Sequence, residues 1–476
     1  MRLNPLTRSR TSPAHPPQAG FTLIELMIAM TISLVMLVAL VSIFANISRS
    51  NAEMAKTNSM IENGRFAMQL LEQDLVHAGY WGGYLPQFDD LSATGVPSDV
   101  PAAVPNPCVP YANWDSDYRS SLLGVAVQSY ETLPAGAGCL TPLVARPGTD
   151  VLAVRHAETC VPGVGNCAAD VANELYLQAS FCAAEKNAGI AQSATGTPNT
   201  IQLSAGASAV NNIYNGMTIR TVSGTGAGQN RTIIAYNGGT QVATVSTPWA
   251  VEPDSSTAYS FEYMLGTDAY PLHRKDCVGT GTPATLPITA GTLADKRKLS
   301  SNLYYISDVA HPDRAGEVVP TLMRSRLDLL AHQAPLPLID GIEAFRVELG
   351  IDNLSVSTDP VDYSAAIAWT DPVAQTSPTN RGDGVPDEFI RCTDAVPCTA
   401  AQLANVVAVK LYVLARSRDT TPGYTDTKSY CLGEPNADGS CPAASTIAAA
   451  NDEYKRHAFS TSVRLINISG RRETAP

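Results

Sequence analysis

The sequence predicts an α+β protein in which one long N-terminal helix precedes a largely antiparallel β-sheet. Residues 21–47 form an apolar run that contains one ionisable residue, Glu25, and neither Pro nor Gly. Residues 48–79 continue as an amphipathic pattern, and several later segments alternate apolar and polar residues as half-buried strands do. Because a helix rises about 1.5 Å per residue, the first run is long enough to cross a bilayer.

The amphipathic part of the helix is expected to continue from Ser48 to Ala78 and to end near Gly79, where a glycine-rich stretch breaks the pattern. Gly64 is expected to be a mild weak point in this helix. Apolar residues recur at a spacing of seven, which predicts one buried face, at Met54, Ile61, Met68 and Leu75.

The later part of the chain predicts a sheet that packs on this helix. Residues 85–150 are rich in Pro and Ala and predict a long loop region. The strand predictions rest on β-favouring composition and period-two alternation. They are Asp150–Arg155, Glu174–Leu177, Leu303–Ile306, Ile342–Ile351, Val407–Val413 and Tyr454–Asn467.

Residues 198–263 predict a small inserted β module. Strand-like runs alternate with turn signals, and Asn237-Gly238-Gly239 is a strong hairpin turn between two of them. Trp249 can supply a small core. The segment loosely resembles a β-repeat module of some phage structural proteins and surface proteins, which leaves a binding role for a surface glycan or host protein open.

Charge and cysteine content narrow the classes of function. The formal net charge is −12, so the chain does not favour nonspecific DNA binding, and no nucleic-acid partner is expected. Ten cysteines all follow the apolar run, which suits disulfides in an oxidising compartment better than zinc. Three close pairs are candidate disulfides, although spacing does not fix the connectivity: Cys160/Cys167, Cys392/Cys398 and Cys431/Cys441.

The start of the apolar run follows a basic leader with three Arg and no acid. The string Gly20-Phe21-Thr22-Leu23-Ile24-Glu25 resembles the processing site of type IV prepilins and type II secretion pseudopilins. The resemblance implies that prepilin peptidase cleaves after Gly20 and that Phe21 becomes the N-methylated terminus. It also implies that Glu25 pairs with the N-terminal amine of a neighbouring subunit. The alternative is an ordinary signal anchor in which Glu25 reaches the membrane interface.

The string from Glu62 to Ala67, together with Asp74 and the segments 78–82, 338–343 and 454–467, resembles the PilW family of minor pilins. That family is related to GspJ-type pseudopilins. The resemblance implies a pilin-like fold, with a helix packed on an antiparallel sheet. Arg65 and Asp74 are candidates to pair with ectodomain loops, and the alternative is that they lie on a solvated helix face. The expected segments are a leader (1–20), a transmembrane assembly helix (21–47), its amphipathic continuation (48–79), a first ectodomain part (80–197), the inserted module (198–263) and a second ectodomain part (264–476).

The resemblance implies a structural protein rather than an enzyme. It would be a minor pilin that helps to initiate type IV pilus assembly and sits at or near the tip, first in the inner membrane with a periplasmic ectodomain and later in the extracellular pilus. Implied partners are other minor pilins, the major pilin, a tip adhesin, prepilin peptidase and the inner-membrane assembly platform. Such pili serve adhesion and twitching motility. The alternatives are a type II secretion pseudopilin and an adhesive module at the tip.

Two further motifs are candidate binding sites, one for a receptor and one for calcium. Arg381-Gly382-Asp383 is an integrin-type triplet that is best explained by chance. Asp383, Asp387 and Glu388 lie in a glycine-containing loop and are a possible calcium site, although EF-hand spacing is absent. No other cofactor is expected, because no metal or nucleophile motif occurs.

Overall fold

In the computed structural model, the described residues are 20–93, 95–133, 138–140, 145–182, 188–267, 270, 272 and 293–473. Of the expected leader only Gly20 is among them, and Cys277 also lies outside the described part. The chain divides into two compact units, Met1–Thr57 and Asn58–Pro476, and each is described by itself.

The longest element is a continuous helix that ends two residues before Gly79, close to the predicted end. Two of the shorter helices differ from expectation: one lies within the region predicted as loop, and another replaces the end of the predicted last strand. The helices are α1 (Leu23–His77), α2 (Ser116–Gly124), α3 (Ala400–Ala404) and α4 (Ile466–Arg472).

The strands agree with the predicted segments wherever alternation was strong, and Ile342–Ile351 has the predicted bounds. They are β1 (Val127–Tyr130), β2 (Val151–Ala157), β3 (Tyr176–Ala179), β4 (Gly189–Ile190), β5 (Thr200–Gln202), β6 (Met217–Ser223), β7 (Asn230–Asn237), β8 (Val242–Val245), β9 (Ala258–Gly266), β10 (Lys296–Ala310), β11 (Val318–Asp328), β12 (Ala331–His332), β13 (Leu336–Asp340), β14 (Ile342–Ile351), β15 (Trp369–Asp371), β16 (Thr376–Pro378), β17 (Glu388–Ile390), β18 (Val406–Arg416), β19 (Tyr430–Cys431), β20 (Thr446–Ile447) and β21 (Arg456–Arg464).

Among the described strands, two sheets make up most of the ectodomain. The larger has the order β1-β2-β10-β3-β9-β6-β7-β8-β5. Strand β11 also pairs with β10 and is joined by β12 and β13, and β4 pairs with β9. The smaller has the order β17-β14-β18-β21. All the named strand pairs are antiparallel, so the predicted α+β class, a long helix with antiparallel sheets, is confirmed.

The second half of α1 packs into the main core of the ectodomain. Ala67, Leu71 and Leu75 are fully buried there, together with Val347 on β14 and Leu411 on β18. The predicted apolar face is therefore the buried face within the second unit. Its first member, Met54, precedes this unit and is exposed.

The inserted segment is joined to the rest of the ectodomain by backbone hydrogen bonds. Its strand β9 pairs with β3 from Tyr176/Gly266 to Ala179/Tyr263, and β3 pairs in turn with β10. The segment also has a core of its own, which includes Tyr214, Trp249 and Phe261. The module is therefore an extension of the large sheet rather than a domain on a free linker.

Gly64 allows a close approach between α1 and the smaller sheet. A Cβ atom at this position would lie 2.1 Å from Cε2 of Phe459 on β21. The expected weak point is thus a contact point, because the missing side chain lets the aromatic ring lie against the helix backbone.

We expect Gly64→Ala to lower the free energy of unfolding of the full chain in detergent. Overpacking costs about 1–3 kcal/mol and outweighs the gain of about 1 kcal/mol in helix propensity. Ser59→Ala, at an exposed position of the same helix, is the control, because it raises helix propensity without changing the packing. Denaturant titration measures both, and Gly64→Ala in a Phe459→Leu background should recover part of the loss. A stabilised Gly64→Ala protein would contradict the packing argument.

Candidate functional site

The N-terminal half of α1 presents apolar side chains all round. Its most hydrophobic 18-residue window has a mean hydropathy of 2.7, and none of that window is buried. Phe21 is 88 % exposed, and Ile24, Leu34 and Phe44 are each more than 60 % exposed. An apolar surface of this extent is expected to contact lipid or other apolar helices rather than water.

Glu25 lies in the first turn of α1, where it forms a capping box with Thr22. The Thr22 amide and hydroxyl each donate to Glu25 Oε2 at 2.9 Å, and the Glu25 amide donates to Thr22 Oγ1 at 3.3 Å. This reciprocal arrangement satisfies two of the amides that every helix start leaves without a partner. The sequence string Thr-x-x-Glu is the signal for such a box, and the sequence reasoning missed it.

Asp74 joins the buried face of α1 to two strands of the large sheet. Its carboxylate lies 2.9 Å from Nε2 of His156 on β2 and accepts from Nδ2 of Asn302 on β10 at 3.0 Å. The other ring nitrogen of His156, Nδ1, faces the carbonyl oxygen of Ala157 at 3.0 Å. Because both ring nitrogens face acceptors, the imidazolium form, which donates from both, fits this site.

The pKa of His156 is raised above its ordinary value. Burial lowers this pKa, but the hydrogen bond and the negative charge of Asp74 raise it, and together with the carbonyl of Ala157 they outweigh burial. Asp74 was expected to pair with loops, whereas its partners lie on strands. Arg65, the other candidate, is exposed and forms no hydrogen bond or ion pair with the residues that the structure describes.

The PilW-like strings around Gly64 and Asp340 meet in space. Nδ2 of Asn63 donates to the backbone carbonyl of Asp340 at 3.0 Å, at the end of β13. The next residue of the helix, Gly64, contacts Phe459. Two separate segments of the later chain, the end of β13 and the middle of β21, therefore fix the same turn of α1.

In the Arg381-Gly382-Asp383 triplet the first two residues are buried and Asp383 is half-buried, so the triplet is not displayed as a receptor-binding loop would be. Arg381 is 2 % exposed, and its Nη2 donates to the carbonyl of Ala365 at 2.8 Å. A Cβ atom on Gly382 would lie 2.2 Å from Oδ2 of Asp352. The triplet is thus part of the loop packing, which agrees with its expected chance origin.

The three carboxylates of the expected calcium site are engaged in local hydrogen bonds. Oδ2 of Asp387 accepts from the amides of Asn353 and Leu354 at 2.9 and 2.8 Å, and Glu388 accepts from the Asn353 side chain. Asp383 accepts from the amide of Val385, which closes a turn. Over the described ranges, no three His, Cys, Asp or Glu side chains gather as a metal would require. The geometry gives the calcium site no support, and it stays a prediction.

The three close cysteine pairs are disulfide-bonded. The Cα–Cα distances are 5.7 Å for Cys160–Cys167, 5.0 Å for Cys392–Cys398 and 5.6 Å for Cys431–Cys441. A fourth bond joins two cysteines that were not paired from the sequence, Cys108 and Cys139.

Buried ion pairs that hold the ectodomain together were also missed. Arg472 on α4 donates to Asp89 at 2.7 Å and to Asp352 at 3.1 Å, and all three side chains are buried. Asp150, at the start of β2, binds Arg346 at 2.9 Å and Arg391 at 2.6 Å. Partners this far apart in sequence leave no local pattern, so no signal in the sequence could have paired them.

Two family models match the chain. Residues 303–467 match PilW, described as type IV pilus-assembly protein W, and residues 16–41 match the prokaryotic N-terminal methylation motif. No curated protein matches. A solved structure, the type IV-like pilin TTHA1219 from Thermus thermophilus, is 17 % identical over 39 % of this chain and 73 % of that one, with a TM-score of 0.15.

We expect the contact between Asp74 and His156 to make the unfolding free energy depend on pH. A raised pKa means that the contact contributes fully below the unfolded pKa of about 6.5 and is lost as the pH rises through the higher folded pKa. Asp74→Asn should therefore cost about 1.5–3 kcal/mol below that range, and less above it. Glu72→Gln, an exposed change on the same helix, is the control. Equal losses at pH 5.5 and pH 9 would contradict the charged form of His156.

Proposed function

We propose that this chain, whose residues 303–467 match the PilW family model and whose residues 16–41 match the methylation motif, is a minor pilin that helps to initiate pilus assembly and remains at or near the tip. The observation that carries the proposal is the presence of the methylation motif and the PilW segment in one chain. The motif and the exposed apolar helix fit a membrane-anchored pilin.

In the proposed role, prepilin peptidase removes the leader after Gly20 and methylates the amine of Phe21. The chain waits in the inner membrane with its ectodomain in the periplasm and then enters the extracellular pilus. The apolar side chains from Phe21 onward exchange lipid contacts for contacts with neighbouring pilin helices, which lie in a similar environment. The carboxylate of Glu25 pairs with the N-terminal ammonium of a neighbour and so fixes the register between subunits.

The proposed partners are other minor pilins, the major pilin, a tip adhesin and the inner-membrane assembly platform. The proposed role is structural and requires no catalytic step of its own. Where major pilins commonly carry a helix-breaking proline this chain has Ser42, and α1 is continuous across this position. A helix that resists local melting suits a subunit placed once at the tip better than one repeated along the shaft.

A type II secretion pseudopilin is the second candidate from the same superfamily. The methylation motif favours both candidates equally, whereas the PilW segment favours the pilus. Removing the chain from its host separates them: lost pili with normal protein secretion favour the pilin, and lost secretion with normal pili favours the pseudopilin.

An adhesive role for the inserted segment is the candidate from a different class. Deleting residues 198–263 is a poor test of this role, because the deletion removes most of β9, which pairs with β3 of the large sheet. Lost piliation after such a deletion would reflect a damaged sheet. Point changes on the surface of the segment are needed instead.

We expect Glu25→Gln to be cleaved and methylated at Phe21 but to be absent from sheared pili. The substitution keeps size and polarity but removes the charge that would attract a neighbour's ammonium. Mass spectrometry of the N-terminal peptide from membranes and from sheared pili measures both steps. Glu62→Gln, an exposed change later in the same helix, should be processed and assembled normally.

Recovery of Glu25→Gln in pili at the level of the unmodified chain would remove the assembly role of this carboxylate. An unprocessed Met1 terminus in the unmodified chain, or cleavage beyond Ile47, would remove the pilin proposal altogether.

We expect the chain to occur at fibre ends. An epitope inserted after Val373, which is 95 % exposed in the turn between β15 and β16, gives an accessible label. Immunogold electron microscopy should place the label at one end of each pilus, and piliation must equal that of the untagged strain. Label spread along the shaft would contradict the tip position while leaving membership of the pilus intact.

A further inference from the structure

The inserted segment carries a shallow groove of about 530 Å³ beside the hairpin turn between β7 and β8. Three asparagines line it: Asn211 and Asn212 from the loop before β6, and Asn237 from the end of β7, where the turn begins. The side chains of Thr240 and Thr244 complete its polar lining, and it contains no charged residue. The groove was not singled out by the sequence, which marked Asn237 only as a turn residue.

Backbone amides fix the orientation of all three asparagine side chains. Oδ1 of Asn211 accepts from the amide of Gly238 at 2.9 Å, and Oδ1 of Asn212 accepts from the amide of Tyr236 at 3.0 Å. Oδ1 of Asn237 accepts from the amides of Gly239 and Thr240 at 2.9 and 3.2 Å. Because a backbone N–H can only donate, the oxygen must face the backbone in each case.

The side-chain nitrogens of the three asparagines therefore remain available to donate hydrogen bonds to a ligand. Within the described part of the chain, Nδ2 of Asn211, Asn212 and Asn237 has no hydrogen-bond partner, and all three residues are exposed. The groove therefore offers several fixed N–H donors and two hydroxyls, while the asparagine oxygens are already used. Such a surface selects ligands that are rich in acceptor oxygens.

The support beneath the groove is rigid. Tyr236 is 3 % exposed, its hydroxyl donates to the carbonyl of Ser208 at 2.6 Å, and its ring packs edge-on against Tyr214. The Asn212 amide also donates to the Tyr236 carbonyl at 2.9 Å, so the loop is paired to β7 in both directions. Donors held in place before binding lose little conformational entropy when a ligand arrives.

We propose that this groove binds an uncharged, hydroxyl-rich glycan. Sugar hydroxyl and ring oxygens accept from the asparagine amides, and Ala235 and Val242 of the lining can contact the C–H face of a sugar ring. The absence of charge from the lining disfavours sulfated or sialylated ligands. An extended peptide would bring as many N–H donors as carbonyls, and the groove has few acceptors left for them. The site is independent of the assembly role.

The test replaces donors without disturbing the turns. Asn→Asp keeps an oxygen for each backbone amide and replaces the NH₂ group with a second oxygen, so a purely structural role survives. The variant is Asn211→Asp with Asn237→Asp. The matched control is Asn106→Asp, whose Oδ1 likewise accepts from a backbone amide, that of Cys108 at 3.0 Å, but lies outside the groove. Thermal unfolding checks that all proteins are equally folded.

The full chain in detergent is applied to immobilised uncharged oligosaccharides (oligomers of N-acetylglucosamine, mannose and galactose), to their sialylated and sulfated counterparts and to extended peptides. We expect binding to at least one uncharged glycan, a rise in Kd of at least about tenfold in the double variant and no change in the control. Three results would overturn the proposal: no uncharged glycan binds, the double variant binds as well as the unmodified chain, or anionic glycans or peptides bind better. None of these results bears on incorporation into pili, which is measured separately.

Discussion

The ectodomain depends on how the second half of α1 lies against its two sheets. Apolar burial supplies most of the favourable free energy, but an apolar stripe alone would tolerate rotation of the helix. Polar contacts remove that freedom, because Asn63 must reach the carbonyl of Asp340 and Asp74 must meet His156 and Asn302. A rotated helix would leave the half-buried carboxylate of Asp74 and the buried imidazole of His156 without partners, at a cost of about 1–3 kcal/mol for each group.

The elements that the sequence predicted are those whose pattern is local. Strands β14 and β18 pair directly, and on each of them every second residue is apolar and buried in the main core, as at Phe345 to Ile351 and at Val407 to Val413. The predicted end of the last strand, at Asn467, was wrong because the structure there depends on residues that are distant in sequence. Residues 466–472 form α4, whose Arg472 is held by Asp89 and Asp352, and those carboxylates lie more than 100 residues away in sequence.

The inserted segment illustrates the same limit. Its hairpin could be predicted because Asn237-Gly238-Gly239 permits a tight turn, and Trp249 does lie in its core. The pairing of β9 with β3 could not be predicted. Strands pair through backbone N–H and C=O groups, which are the same for nearly every residue, so the sequence does not show which strand is the partner. The same holds for the candidate groove, where loop residues 211–212 and the turn are brought together only by backbone hydrogen bonds.

In the proposed pilin role, the carboxylate of Glu25 lies in a membrane before it meets its partner, and the capping box at the start of α1 stabilises it there. An isolated carboxylate near the bilayer centre costs about 2.5–3.5 kcal/mol, and less toward the surface. The amide and hydroxyl of Thr22 offset part of that cost for Glu25 within a single chain. A capping interaction is worth only about 1 kcal/mol, so in the proposed pilus a neighbour's ammonium, which brings the opposite charge at low dielectric, would displace it. Under that proposal, a chain held this way is stable alone but gains more free energy by meeting a correctly staggered neighbour, which is what directed assembly requires.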